Sequence, residues 1–215
     1  MKRSLPGLVA VMLLPAAAFA QTPVQLPRGD AHFVLGWQNI HKEQPQDHYN
    51  DWLNDILYGG AGAGWYWTDN LKTQVDIGTG TSADQYRSRQ FILNGKQAFE
   101  SSRLSVRQTA VTIQQQYQFF HNAWFHPRVG AGVELARETT KEQYEAVLVF
   151  DTNTTRSVLP ARTEGPDHNF VARGVGEVGF KAYMTRRSFF TGDMRLLFRN
   201  GIDQVLFRAG FGIDF

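Results

Sequence analysis

Charged side chains recur at every second position in several otherwise apolar stretches of this chain. In such a stretch the charges share one face of a β-strand, because side chains alternate between its two faces. Charges that face the interior of a fold must be paired to be tolerated. The near balance of signs therefore predicts an internal ion-pair network, with a charge-lined pore as the alternative. The candidate residues are basic at Lys72, Arg128, Arg173, Lys181, Arg195, Arg199 and Arg208, and acidic at Asp76, Glu134, Glu177, Asp193 and Asp214.

Candidates for catalysis are weaker. Lipid A deacylases use a His-x-Ser pair, but none of the six histidines has a serine two residues later. Asp47-His48 and Asp167-His168 are Asp-His dipeptides of the kind found in rim proteases, yet adjacent residues on a strand point apart. The glycines at 59–64 lack the lysine and the helix of a phosphate loop. We predict no catalytic residue, no metal site and no cofactor, and a membrane hydrolase remains an alternative.

Eight stretches alternate apolar and polar residues with period two, which indicates β-strands with one apolar face. They span residues 31–40, 52–67, 71–80, 104–120, 125–135, 168–184, 190–199 and 204–215. Three short turns alternate with three long connections, and the last connection is brief. The turns are 68–70, 121–123 and 186–188, and the long connections are 41–51, 82–103 and 139–167. This layout is typical of an all-β, eight-stranded antiparallel up-and-down transmembrane barrel with short periplasmic turns.

The longest connection leaves one alternative open. It contains a predicted hairpin around the turn at 151–154. A ten-stranded barrel would use residues 143–151 and 155–162 as two further spanning strands. Glu145 and Arg156 interrupt that hairpin and Pro160 ends its apolar run, so the sequence favours eight strands.

The last strand is apolar at alternate positions from Val205 to Phe215, with Leu206 as the one apolar residue on its other face. A barrel needs such a strand, because the last strand must close against the first to leave no unpaired edge. The stretch resembles the C-terminal signal that bacterial outer-membrane proteins present to their assembly machinery. The residues at the positions of that signal are Arg208, Gly210, Ile213 and Phe215.

Aromatic residues flank each of the three short turns. Indole and phenol rings favour a membrane interface, because one end of the ring is apolar and the other can be hydrated. Together with Phe215 they predict an aromatic girdle at the periplasmic side. Its members are Trp65, Trp67, Phe119, Trp124, Phe125 and Phe190.

The first twenty residues have the pattern of a secretory signal peptide. Lys2 and Arg3 precede an apolar run, and Ala18-Phe19-Ala20 places small residues where signal peptidase reads. We expect cleavage after Ala20. Residues 21–30 are then a periplasmic lead-in, and residues 31–215 form the barrel domain.

In this pattern the chain resembles the small outer-membrane β-barrel domains of Gram-negative bacteria, the group related to the eight-stranded transmembrane domains of the major outer-membrane proteins. The resemblance covers residues 31–215 and implies a fold and a location in the bacterial outer membrane. The chain has no cysteine, so it has no disulfide framework. Its net charge of +2 gives no basic footprint for nucleic acid.

We therefore expect a non-enzymatic barrel with a charge-plugged lumen that displays two long outer loops in a structural or surface-binding role. The alternatives are a lipid A-modifying or rim-protease type of hydrolase and a narrow pore for small solutes. The expected partners are outer-membrane lipid, lipopolysaccharide and the outer-membrane assembly machinery, and the protein is expected to be a monomer.

Overall fold

Antiparallel strands account for nearly all of the structure, a computed structural model that describes residues 28–41, 52–119, 124–151 and 154–215. In chain order the strands are β1 (Gly29–His41), β2 (Trp52–Tyr66), β3 (Leu71–Gly80), β4 (Ala83–Leu93), β5 (Lys96–Gln118), β6 (Phe125–Tyr144), β7 (Val147–Asp151), β8 (Thr154–Leu159), β9 (Arg162–Tyr183), β10 (Ser188–Phe198) and β11 (Ile202–Asp214). None of the described segments is a helix long and apolar enough to cross a membrane.

Eight of these strands pair in a ring. The order is β1–β2–β3–β5–β6–β9–β10–β11, and β11 pairs with β1, so each of the eight has a neighbour on both sides. Every pairing is antiparallel. The predicted eight-stranded antiparallel fold is confirmed.

The wall of the ring is apolar outside and polar inside. In β3, Lys72, Gln74 and Asp76 are buried, whereas Val75 and Ile77 on the other face of the strand are exposed. The same alternation runs along β5 from Gln108 to Gln118. A wall that is apolar toward its surroundings suits hydrocarbon rather than water.

Gln115 is the polar exception on the outer wall of β5. It lies opposite Thr73 in the register, and its Nε2 donates to Thr73 Oγ1 at 2.6 Å. The indole N–H of Trp67 donates to the same hydroxyl oxygen at 2.7 Å. These polar groups therefore satisfy one another on the outer wall beside the girdle residue Trp67.

The ring closes between β1 and β11, from Asp30 opposite Asp214 to Ile40 opposite Gln204. At the end that holds the short turns, which we call the periplasmic end after the expectation above, Phe215 N donates to Gly29 O at 2.9 Å. The Phe215 carbonyl accepts from the Arg28 and Gly29 amides. The first strand thus begins at Gly29 rather than at residue 31, and Asp30 belongs to β1 rather than to the lead-in. The predicted signal peptide lies outside the described residues.

Above the membrane-spanning part, several strands continue as what we call the outer sheet. It consists of β4, β7, β8 and the outer parts of β5 (96–106), β6 (139–144) and β9 (162–168). β5 has 23 residues, about twice the 9–11 residues that a transmembrane strand requires. The prediction of a loop over 82–103 was therefore wrong. That segment forms a hairpin of β4 and β5, which its polarity on both faces concealed.

The predicted hairpin in the longest connection is present as β7 and β8. It lies outside the ring, because the strand pairing of β7 with the ring is limited to Ala98 and Phe99 of β5. Val147 and Val149 pack there against Ala98 in a small buried cluster. The ten-stranded alternative is thus contradicted, since β6 pairs with β9 directly from one end of the wall to the other.

Removal of this hairpin should leave the barrel folded. Tyr144 and Arg162 are register partners, so an Asn-Gly turn can replace residues 145–161 and join β6 to β9. The backbone hydrogen bonds of the ring are untouched. We expect the variant to show the same heat-dependent gel shift as the unmodified protein. Loss of that shift would mean that the hairpin is part of the barrel wall.

Candidate functional site

Three arginines meet two carboxylates at the centre of the barrel interior. Glu177 accepts from Arg195 Nε at 2.7 Å, from Arg128 Nε at 3.0 Å and from Arg208 Nη2 at 3.4 Å. Asp193 accepts from Arg208 Nε at 2.7 Å and from Arg128 Nη2 at 2.9 Å. All five side chains are buried. Each charge is matched by opposite charges and by hydrogen bonds, as buried ions require.

A third carboxylate completes this central group. Asp76 pairs with Arg195 and lies 2.9 Å from His32 Nε2. Gln114 and Gln116 donate to Glu177 at 2.7 and 2.8 Å. The group thus holds three guanidinium and three carboxylate groups, so its charge is balanced.

The strand register brings these residues together. Asp193 on β10 lies opposite Arg208 on β11, and Arg195 lies opposite Glu177 on β9. The glycines of β2 leave them room. A Cβ at Gly62 would lie 2.0 Å from Asp76 Oδ1 and 2.8 Å from His32 Cε1. The glycine-rich segment therefore serves the close packing of the interior.

A second buried group lies at the periplasmic end. Lys181 Nζ is 2.5 Å from Asp214 Oδ1 and 3.1 Å from Asp30 Oδ2. Lys72 Nζ is 2.7 Å from the same Asp30 oxygen, and Tyr66 donates its hydroxyl to it at 3.0 Å. Two lysines and two aspartates again balance.

A third group lies toward the outer end. Arg173 pairs with Glu138 and Asp203, and its Nη1 lies 3.3 Å from Glu134 Oε1. Gln108 donates to Glu134 at 2.9 Å. Sequence reasoning missed Glu138 and Asp203, because both were assigned to connections between strands.

Apolar side chains separate and cover these charged groups. One buried cluster lies between the central and the outer group along β9, β10 and β11, and its members are Val34, Tyr58, Val175, Leu197 and Leu206. Another lies at the outer end, where its members are Ile40, Leu53, Ile56, Ala83, Leu104 and Val106. Leu206, which broke the polar face of the last strand, is thus a member of an interior apolar layer.

Eleven of the twelve charged residues singled out from the sequence are buried in the interior. The exception is Arg199, which is exposed in the turn after β10 at the outer rim. Its assignment to the lumen was wrong, because β10 ends at Phe198 and alternation no longer holds in the turn. Asp30 and His32 were missed, although extending the alternation of β1 back from Val34 places both inside.

Aromatic side chains surround the periplasmic end of the outer wall. Trp65, Trp67, Phe119 and Trp124 are exposed there. Phe125 and Phe190 are half-buried, because Phe180 lies between them with ring centroids 5.5 and 6.0 Å away. All six predicted girdle residues lie next to the short turns. Phe215 at the end of the last strand is also exposed, at 64%.

Comparison with known proteins agrees with this geometry. The outer membrane protein beta-barrel domain matches residues 7–215. The chain belongs to this family.

Solved structures show the same fold at low sequence identity. Neisserial surface protein A has a TM-score of 0.53 at 10% identity, covering 87% of this chain and 97% of that one. OprG from Pseudomonas aeruginosa has a TM-score of 0.52 at 12% identity, covering 88% of this chain and 97% of that one. No curated protein matches the chain. The family is one of outer-membrane proteins, and no comparison assigns an activity.

Ion pairs hold the outer sheet of this family member together. Glu100 on β5 lies 2.7 Å from Arg162 Nη1 of β9 and 2.5 Å from Arg89 Nη2 of β4. Burial raises the pKa of the Glu100 carboxyl, but its hydrogen bonds to Arg162 and Arg89 and their positive charges outweigh burial, so the pKa lies below its ordinary value. Arg162 also stacks on Tyr144, with its Cζ 3.9 Å from the ring centroid. The sheet is therefore an ordered surface rather than a set of separate loops.

The Asp-His dipeptides do not form a catalytic couple where the structure describes them. Asp167 and His168 are consecutive on β9 and lie opposite Thr140 and Thr139 respectively, on the two faces of the strand. His168 Nδ1 is 3.1 Å from Thr139 Oγ1. Asp47-His48 lies outside the described residues. Among the described residues, no three His, Asp or Glu side chains are grouped to hold a metal ion.

Proposed function

We propose that this protein is a non-enzymatic outer-membrane barrel with a closed lumen, and that its outer sheet presents a binding surface outside the cell. The interior carries this proposal. The central and periplasmic charged groups are each balanced, and the outer group pairs one arginine with three carboxylates. One apolar cluster lies between the central and outer groups and another covers the outer end, and the side chains of all five sets are largely buried. An eight-stranded barrel is only wide enough for its side chains to fill it.

The apolar clusters matter for conduction as much as the ion pairs. A charged lining alone attracts ions, whereas an apolar constriction in a pore excludes water and opposes ion passage. Leu197 and Leu206 belong to such a layer across the interior and are both about 1% exposed or less. An ion that entered the lumen would have to leave water at this layer.

The outer sheet supports the surface-binding part of the proposal. Its exposed face carries Tyr86 and Ile92, each 76% exposed, beside charged side chains. A partner bound on this ordered, water-facing surface would bury both of these side chains. Binding surfaces in such barrels are commonly found in the segments beyond the membrane.

Conductance in a planar bilayer tests the closed lumen. We expect the purified protein to give no steady, defined conductance steps under conditions in which an open porin gives them. Removing residues 145–161 as above should not change this result, because the hairpin lies outside the ring. Reproducible steps of one size would overturn the closed-lumen proposal.

Two further measurements test the absence of enzymatic activity and the cleavage of the signal peptide. Lipid A from cells with and without the protein should have the same acylation, and a difference would favour the hydrolase alternative.

Mass spectrometry of the protein extracted from outer membranes should give a mature chain that begins at Gln21. A mature N-terminus elsewhere would refute cleavage after Ala20, which the A-x-A pattern at 18–20 supports.

A further inference from the structure

A groove runs along the lipid-facing wall near its outer end, between β1, β2 and β3. Its volume is about 410 Å³, within the range of about 300–1,000 Å³ that small-molecule sites occupy. Leu35 and Leu57 form its apolar side, and Arg107 of β5 lies at its edge. Thr79 and Thr81 add hydroxyl groups to the lining of the groove.

The groove exists because Gly59 contributes no side chain. Gly59 lies opposite Leu35 on one side and Thr79 on the other, in the middle of the groove floor. A Cβ built at Gly59 would meet only Leu35 Cδ2, at 3.7 Å. The backbone there has open space above it, so a larger side chain can fill the groove without moving the wall.

Basic side chains extend from the edge of the groove across the next two strands. Arg107 and Arg137 lie on diagonal positions of β5 and β6, because Arg107 is opposite Thr139 and Arg137 is opposite Thr109. Lys141 lies two residues beyond Thr139 on the same strand. All three basic residues are exposed. We call Arg107, Arg137 and Lys141 the basic patch.

The basic patch differs from three arginines of the outer sheet that are paired with carboxylates. Arg89 and Arg162 are paired with Glu100, and Arg103 is paired with Asp84. No ion pair joins Arg107, Arg137 or Lys141 to a carboxylate among the described residues. Asp84, which lies opposite Ser105 next to the patch, already accepts from Arg103 and Ser105.

The height of the patch fits a lipid headgroup. Ile77, Val111 and Leu135 form one apolar row across the outer wall. Arg137 is two residues above this row and Arg107 is four, which is roughly 7 and 13 Å along the strands. The cations therefore stand just beyond this apolar row. The groove lies at the same register levels, because Gly59 is connected through Thr79 and Thr109 to Arg137.

We propose that the groove and the basic patch together bind one phosphorylated glycolipid of the outer leaflet, the lipid A portion of lipopolysaccharide. An acyl chain would lie in the groove over Gly59, and the phosphates would meet Arg107 and Arg137. Arginine suits this role, because its fork of donors matches phosphate oxygens. The site lies at the end of the barrel away from the chain termini, which is the end that faces the outer leaflet. It is separate from the lumen, so it stands whether or not the lumen is closed.

Native mass spectrometry of the protein in dodecyl maltoside micelles tests this site, with bisphosphorylated hexa-acyl lipid A as the probe. The double variant Arg107→Gln/Arg137→Gln should weaken binding by at least about tenfold, because it removes two charge-assisted contacts. Arg186→Gln/Arg187→Gln is the matched control, since both residues are exposed in the turn at the opposite end. The control should bind within about twofold of the unmodified protein. Equal losses in both double variants would overturn the site.

A second pair of variants tests the acyl groove. Gly59→Leu fills the groove and keeps every charge, so it should also weaken lipid A binding. Gly174→Leu is its control, because Gly174 is exposed on β9 and a Cβ there meets nothing closer than 3.9 Å. Only protein with the folded gel mobility is compared. Unchanged binding by Gly59→Leu would overturn the groove as the acyl site.

The headgroup and its source are tested with two further probes. Dephosphorylated lipid A should bind markedly more weakly than the bisphosphorylated form. Inorganic phosphate at millimolar concentration should not displace lipid A, because it cannot use the groove. Equal binding of the dephosphorylated form would refute phosphate recognition, and displacement by inorganic phosphate would indicate a site for free anions instead of a lipid.

Discussion

Replacing Gly210 with alanine should prevent most of the protein from closing into a stable barrel. Gly210 lies on β11 opposite Val34 of β1, in the pairing that closes the ring. A Cβ at this position would lie 1.9 Å from the Phe33 carbonyl oxygen and 2.8 Å from Val34 Cα. Both are backbone atoms, so they can move only if the two strands separate. We expect a loss of about 3 kcal/mol or more in the free energy of unfolding, at or beyond the upper end for overpacked sites.

Gly59→Ala is the matched control for this substitution. It makes the same chemical change within a strand of the same barrel, but the added methyl group meets only a side-chain atom at 3.7 Å. Because alanine restricts the unfolded chain more than glycine does, the control should be neutral or slightly stabilising. Urea titrations of both variants in lipid vesicles, with the folded fraction read from heat-dependent gel mobility, measure the difference. Similar stabilities for the two would show that the β1–β11 pairing tolerates a side chain at Gly210.

Gly210 is also part of the C-terminal motif that the sequence suggested as an assembly signal. The sequence identifies it through its place in a C-terminal signal together with Arg208, Ile213 and Phe215. The structure gives Gly210 a steric reason to be glycine and gives Arg208 two carboxylate partners inside the barrel. Whether assembly machinery reads these residues stays a prediction. Packing at Gly210 and ion pairing at Arg208 give at least these two residues a structural role in the barrel.

The eight spanning strands could be predicted because a membrane wall enforces a strict alternation. Val75 and Ile77 must face lipid, and Lys72, Gln74 and Asp76 on the other face of the same strand must face inward. Beyond the membrane this constraint ends. In β4, residues such as Ser88 and Gln90 are exposed on a largely polar sheet, and no apolar wall enforces the alternation there. Period two is therefore lost from the sequence where the strand is still present.

The sequence predicted a charged interior but not which charged residues pair with each other. Every charged residue that alternation placed inside is buried except Arg199, where the strand has ended, but the buried carboxylates Asp30 and Glu138 were missed because they lie outside the predicted strand bounds. It cannot say which charges meet, because partners such as Asp76 and Arg195 are 119 residues apart in the chain. It also treats inward apolar residues as exceptions. Tyr58, Leu197 and Leu206 form a layer with Val34 and Val175 only once the ring brings five strands together.

Replacing Glu177 with glutamine should destabilise the barrel by about 3–5 kcal/mol, the usual cost of removing one partner from a buried ion pair. Glu177 accepts from Arg128, Arg195 and Arg208, and it also accepts from two glutamines. The variant keeps the size of the side chain but leaves three guanidinium groups facing two carboxylates in a buried site. Glu164→Gln is the control, because Glu164 pairs with Arg162 on the exposed outer sheet and such pairs contribute about 1 kcal/mol or less.

A second substitution separates the loss of charge balance from any loss of packing. Adding Arg128→Gln to Glu177→Gln leaves two guanidinium groups, those of Arg195 and Arg208, opposite the carboxylates of Asp76 and Asp193. The balance of the central group is thereby restored, so the double variant should be more stable than Glu177→Gln alone, and the two effects should not add. Urea unfolding in lipid vesicles gives the four free energies of the cycle. If the double variant instead loses the sum of the two single effects, charge balance is not what holds the centre of this barrel together.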